Sequence, residues 1–210
     1  TESDHIIYSA EKSFSDLSEY KLLEKLDIFL NDNVFKIEKK LQDFIKKVSV
    51  ILDLDNFTPI EISVKKNINQ EEMNDKILNY LAYEAKNYCK KTLEHKKIVH
   101  MIIEKYKVNN QNYSKFPNNV NCKSISLDIK FITIDEVYIN RLEKILKKYQ
   151  ISLKKVLNAD YLEKFLPQNG TNIFSMAKKI AEGFNENEVK FIVKSNKKKG
   201  FFEKFFYFFN

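Results

Sequence analysis

Between Ser124 and Phe131 the chain alternates without a break. Ile125, Leu127, Ile129 and Phe131 fall on one side of an extended backbone, and Ser124, Ser126, Asp128 and Lys130 fall on the other. Side chains alternate across a strand with period two, so this stretch is a strand with one buried and one wet face. It requires a sheet covered on one side. Ile98-Val99-His100-Met101-Ile102-Ile103 is apolar on both faces and reads as a central strand, with a pattern that continues through Tyr106 and Val108. Antiparallel pairing of the two is the natural expectation. Pro59 to Lys65 also alternates, and Ile151 to Val156 is a short further strand.

Helical periods lie between and around these strands. Asn69 with Glu72 forms a capping box that predicts the start of a long helix, with Met73, Ile77, Leu81, Ala85 and Tyr88 on one face and an end near His95. Asp135 caps a second helix striped by Ile139, Leu142, Leu146 and Tyr149. Ser18 to Leu30 and Phe35 to Leu52 read as two N-terminal helices, the second from Ile37, Leu41, Phe44, Ile45, Val48 and Leu52. His5 to Tyr8 reads as an edge strand. Residues 109–121, rich in Asn and holding Cys122 at their border, read as loop, and residues 158–174 as irregular. Phe174 to Phe184 is a short helix with Gly183 as its C-terminal cap, and Glu188 to Val193 is extended. The expected fold class is α+β: a small mixed or antiparallel sheet with helices packed on one face.

Composition narrows the chemistry. With three Gly and three Pro in 210 residues, the chain has almost no room for phosphate-cradling loops, and no GxxxxGK[ST] or GxGxxG occurs. His5, His95 and His100 have no ligand spacing with Cys, Asp or Glu. His100, in an apolar strand, reads as a satisfied core histidine. No nucleophile elbow or catalytic constellation emerges, so neither enzyme activity nor a cofactor or metal is expected. Cys89 reads as a buried thiol on a helix. Two cysteines make no disulfide framework, which suits a reducing compartment. The first residue, Thr1, suggests a fragment or a processed chain.

The C-terminal residues carry the one distinctive surface. The net charge of +7 is concentrated towards Lys197, Lys198, Lys199 and Lys204, beside Phe201, Phe202, Phe205, Phe206, Phe208 and Phe209. Wound as a helix, the six phenylalanines fill an arc of about 160°. A short amphipathic helix with a polybasic approach is suited to lying on an anionic membrane, and is too short to cross one. Docking of the Phe block on the chain's own core or in a partner's groove remains open. Nucleic acid is a weaker candidate for the Lys-rich surface and is not expected as a partner.

The segment His100-Met101-Ile102-Ile103-Glu104-Lys105-Tyr106-Lys107-Val108-Asn109-Asn110, then Ile125 to Thr133, then Arg141-Leu142-Glu143-Lys144 through Ile151, resembles the inserted SHS2-type subdomain (1C) of the FtsA family of bacterial cell-division proteins. Ile68 to Met73 looks like the acidic start of that subdomain's first helix. The chain departs from the family at Glu104, where a Pro is usual, and in the following loop, where only Pro117 stands for a Gly- and Pro-containing element. The family also ends in a basic linker and an amphipathic membrane-targeting helix. The resemblance implies four segments: residues 1–67 as part of an actin-like first lobe, 68–157 as an SHS2-like interaction subdomain, 158–196 as a connecting segment with a short helix, and 197–210 as the membrane-targeting helix. The family's phosphate loops and adenosine motif are missing, so no ATP binding is expected. The implied function is a non-catalytic division protein that tethers other division proteins at the cytoplasmic face of the inner membrane and is able to self-associate. The alternative is a soluble α+β protein–protein interaction module whose Phe block packs on its own core.

Overall fold

The computed structural model describes residues 6–14, 18–72, 74–117, 120–167 and 172–190. Helix α1 (Glu19–Leu41), N-capped by Ser18, is one helix where two were expected. It stops at Gln42, which takes a left-handed conformation with φ 56°. The turn is then locked locally: the Phe44 N–H donates to Asp43 Oδ1 (2.8 Å) and the Ile45 N–H to Glu38 Oε1 (3.1 Å). Beyond it, the expected helix over 35–52 is corrected. Lys47–Leu52 is strand β1, rich in β-branched residues, and its register is supplied by a strand a hundred residues away. Ile6, Ile7 and Tyr8 form no strand; Tyr8 instead lies against α1, its hydroxyl donating to Asn33 Oδ1 (2.6 Å).

Strands β2 (Thr58–Glu72), β3 (Lys96–Val108), β4 (Gln111–Tyr113) and β5 (Asn121–Asp135) form an antiparallel sheet in the order β2-β5-β3-β4. β5 carries the alternating stretch and pairs along both edges. Helix α2 (Asp75–Thr92) covers its dry face, bringing Ile77, Leu81, Ala85 and Cys89 onto Ile125, Leu127, Ile129 and Phe131. The expected capping box at Asn69 and Glu72 does not form, because β2 continues to Glu72, paired with Asn121. Asn74 is the cap, and its Oδ1 accepts from the N–H groups of Lys76 (3.0 Å) and Ile77 (3.2 Å). This shifts the helix face: Tyr88 is exposed and Cys89 takes the buried position. Cys122 is not in a loop but fully buried at the start of β5. Within the expected 109–121 loop, Asn109 and Asn110 at φ 49° and 69° make the tight turn that joins β3 to β4.

Helix α3 (Glu136–Lys148) follows β5 and leads into β6 (Ser152–Asn158), which pairs parallel with β1 as a second, two-stranded sheet. Asp135 sits at the N-cap without a side-chain capping bond, its carboxylate pairing with Lys96 instead (2.8 Å). α1 packs on α3 through Leu23, Val34, Leu142 and Leu146. Asp27 of α1 ties the two together, accepting from Lys148 and from the Tyr149 hydroxyl (3.0 Å). The expected irregular stretch contains α4 (Ala159–Glu163), and α5 (Ile173–Glu182) ends at Gly183, φ 108°. The fold is therefore α+β, with two sheets rather than one and helices on more than one side.

Substitutions at two positions test this account by chemical denaturation. Phe131→Ala, at the fully buried centre of β5, is expected to cost about 3–5 kcal/mol. Asn110→Val forces a β-branched side chain into the left-handed region and is expected to cost about 1–2 kcal/mol, whereas Asn110→Gly is neutral or stabilising.

Candidate functional site

The densest polar cluster among the described residues forms where β3, β6, α4 and the segment after α5 meet. β3 brings His100, β6 brings Lys155, α4 brings Tyr161, and the chain after Gly183 brings Asn185 and Glu188. The Asn158 backbone N–H donates to His100 Nε2 (3.1 Å), so that nitrogen holds a lone pair and the proton sits on Nδ1. Nδ1 then donates to Glu188 Oε1 (2.9 Å), which also receives Lys155 Nζ (3.3 Å). The Tyr161 ring lies against the imidazole, centroids 4.3 Å apart, and Asn185 donates to its hydroxyl (2.8 Å).

The electrostatics follow from burial. The side chains of His100 and Glu188 are 0% and 3% exposed. Burial holds His100 below the usual imidazole value, against the opposing pull of Glu188. Burial pushes Glu188 up, but the His100 hydrogen bond and the Lys155 ammonium outweigh it and hold the carboxyl below its usual value. Burial raises the Tyr161 phenol. The result is a neutral imidazole bonded to an ionised carboxylate. Both ring nitrogens are engaged inside the protein, so His100 offers no free lone pair to a substrate. What the cluster does is hold: it pins residues 185–190 onto β3. The N–H of Ile103 donates to the Asn187 carbonyl and the N–H of Val189 to the Met101 carbonyl, both at 2.9 Å. Lys190 completes the fastening by donating to the carbonyls of Ile180 (2.9 Å) and Ala181 (2.7 Å) at the C-terminus of α5.

Two solvent-facing surfaces complement this clamp. The open face of the four-stranded sheet is ionic: Asp128 accepts from Ser63 and Lys107 (both 2.7 Å), and Lys130 lies between Glu61 (3.8 Å) and Glu104 (3.9 Å). Burial raises Asp128, and the bonds from Lys107 and Ser63 reverse that and leave it below its usual value. On the far side, α2 presents Tyr80, Tyr83 and Tyr88 to solvent, with Lys66 Nζ 4.0 Å above the Tyr80 ring. Among the described residues no group of three or more His, Cys, Asp or Glu could hold a metal ion, and no helix is long and apolar enough to cross a membrane.

The membrane-binding residues expected from sequence, Lys197, Lys198, Lys199, Phe201, Phe202, Lys204, Phe205, Phe206, Phe208 and Phe209, all lie outside the described residues. The sequence did mark His100 as a satisfied core histidine. It missed Glu188, Lys155 and Tyr161 as its neighbours, because all three lie far from it in the chain; an acid in an otherwise extended apolar segment, Glu188 before Val189, was the only signal available. No protein-family model matches the chain, and no curated protein matches it in sequence.

The clamp predicts an acid-sensitive fold. His100 binds its proton less readily folded than unfolded, so stability is lost as pH falls below about 6.5. Glu188, also depressed, adds a further loss as pH falls below about 4.3. His100→Gln should flatten the upper part of a urea-midpoint profile between about pH 7 and 5. Glu188→Ala, leaving the buried His100 N–H without its acceptor, should cost about 1–3 kcal/mol at neutral pH.

Proposed function

We propose that this chain is a non-catalytic interaction module of the FtsA type, held at the cytoplasmic face of the cell membrane by its basic, Phe-rich C-terminal residues. The observation that supports this reading is the order β2-α2-β3-β4-β5-α3-β6: a four-stranded antiparallel sheet with one helix on its dry face, followed by a helix and a strand that joins a different sheet. The periodicity of residues 59–157 gives strand–helix–strand–strand–helix–strand, and the resemblance of residues 68–157 to the SHS2-type subdomain implies a first helix, a strand, a loop, an alternating strand, a helix and a strand in that order; β4 is an additional short strand within the loop. The partners are other division proteins or further copies of the chain, met through the exposed tyrosines of α2. The reading assigns no nucleotide step.

Energetics explain why the two parts belong together. A buried Phe contributes at most about 1.5–3 kcal/mol, and less when only partly inserted into an interface. Ordering each residue costs about 1–2 kcal/mol in backbone entropy alone. One such tail binds weakly and reversibly, and clustering of several chains multiplies its hold.

A second reading has its own support. α1 and the turn after it expose Ile28, Phe35 and Phe44, the two phenylalanines 74% and 75% exposed, which is apolar surface on which the chain's own Phe block could pack. Sedimentation with anionic vesicles separates the two. Under the membrane reading, Phe202→Glu or Phe205→Glu abolishes co-sedimentation and leaves the thermal midpoint unchanged. If those variants still sediment, residues 197–210 are not the anchor; if the midpoint falls on deleting them, they pack on the body.

A further inference from the structure

We infer that the groove between α5 and the β1–β6 sheet is a docking site for an acidic segment of a partner protein, which inserts a bulky apolar side chain between its charged flanks. The sheet supplies one wall. Ile51 and Leu157, neighbours in the parallel ladder, pack against α5, and Ser49 and Lys155, the next pair on the same face, continue the wall. The other wall is one flank of α5, where Phe174, Ala177, Lys178 and Ala181 recur at three- and four-residue spacing. Ala177 and Ala181 bring only methyl groups to its centre. The space left between the walls is about 360 Å³, at the small end of ligand-sized cavities, which suits an anchoring side chain better than a whole ligand. The helical wall is fixed at both ends. Asn172 Oδ1 accepts from the Phe174 N–H (2.9 Å), and Lys190 Nζ donates to the carbonyls of Ile180 (2.9 Å) and Ala181 (2.7 Å). A wall already in place costs little to order on binding. At its mouth the Phe174 side chain, 70% exposed, stands open beside this apolar floor.

The charges identify the partner. Lys154, Lys155 and Lys178 line the groove against one acid, Glu182. Lys155 is turned towards Glu188 (3.3 Å), whereas Lys154 and Lys178 are exposed. Lys47, also exposed, lies on the same sheet face two residues before Ser49. Complementary charge steers a partner and fixes its orientation, so acids on either side of an apolar anchor match this site. The chain's own C-terminal Phe block fits it poorly, since Lys197, Lys198, Lys199 and Lys204 accompany it against Glu203 alone. The groove shares no residue with the tyrosines of α2, and the inference stands whether or not residues 197–210 bind lipid.

Fluorescence anisotropy on the full chain tests it, with a short labelled peptide of Asp and Glu around a central Leu-Phe pair as the probe. Saturable binding is expected at low salt, weakening as salt is raised. Replacing Leu-Phe by Ser-Ser in the probe is expected to weaken binding at least about tenfold, as loss of an anchor does. Ala181→Phe, which fills the groove from its own wall, is expected to do the same, and Lys154→Glu to weaken binding at least about threefold, both with an unchanged thermal midpoint. No saturable binding to the unmodified chain overturns the inference. Equal binding of the Leu-Phe and Ser-Ser probes also overturns it, since charge alone would then explain the contact. If Lys154→Glu weakens co-sedimentation with anionic vesicles and leaves peptide binding unchanged, these lysines serve lipid and the inference fails. Should Ala181→Phe not fold, Lys154→Glu and the two probes decide the matter without it.

Discussion

The dry face of β5 must be covered and both its edges must be paired, and most of the molecule follows from those two demands. β2 and β3 take the edges, and α2 closes over Ile125, Leu127, Ile129 and Phe131, each worth about 1.5–3 kcal/mol when removed from water. The alternation ends at Phe131 for a reason visible in the packing. From Ile132 to Ile134 every residue is buried, because there α3, α4 and α5 cover the side that was wet. One strand thus serves two layers: a half-covered sheet along its first part and a sandwiched strand along its last turn into α3.

That change of environment explains why the second sheet exists. β1 and β6 are parallel, and a parallel pair needs a long connection, supplied here by the whole four-stranded unit. Two parallel strands alone make a weak sheet, so the pair depends on α1 and α3 against one side and α5 against the other. The His100–Glu188 bond then fastens the last described segment across β3 and β6. A buried hydrogen bond from a neutral imidazole to a carboxylate adds only modestly to stability in itself, since folding exchanges bonds to water for it. Its effect is positional: Glu188 finds its partners at only one place on β3, and that fixes the register of Asn187 and Val189 against Ile103 and Met101.

The sheet was the most legible part of the sequence, because period-two alternation at 124–131 and the apolar run at 98–103 depend on nothing remote. Failures came where local signals competed. Val48 and Leu52 continue the helical spacing of Ile37 and Leu41, and only the left-handed Gln42 and pairing with β6 turn them into a strand. Asn69 and Asn74 are both plausible caps, and the choice was made by Glu71 and Glu72 pairing with Cys122 and Asn121. That five-residue shift explains why Cys89 rather than Tyr88 is buried. The clamp was the least legible feature, since a buried acid carries no local mark of its partner 88 residues away.

The edges of the two sheets are not equally open to association. β2 presents its outer edge over fifteen residues, but Pro59 lacks a backbone donor there, and Lys65 and Lys66 place charge along it, Lys66 folding over Tyr80. Such an edge resists pairing with another chain. The wet face of the same sheet is already neutralised internally by Asp128 with Lys107 and by Lys130 between two glutamates, so it repels apolar surfaces without attracting a strongly charged one. Side-chain contact through the tyrosines of α2 is what remains on this half of the molecule: rigid aromatic surface with hydroxyls at its rim, which binds at low entropic cost.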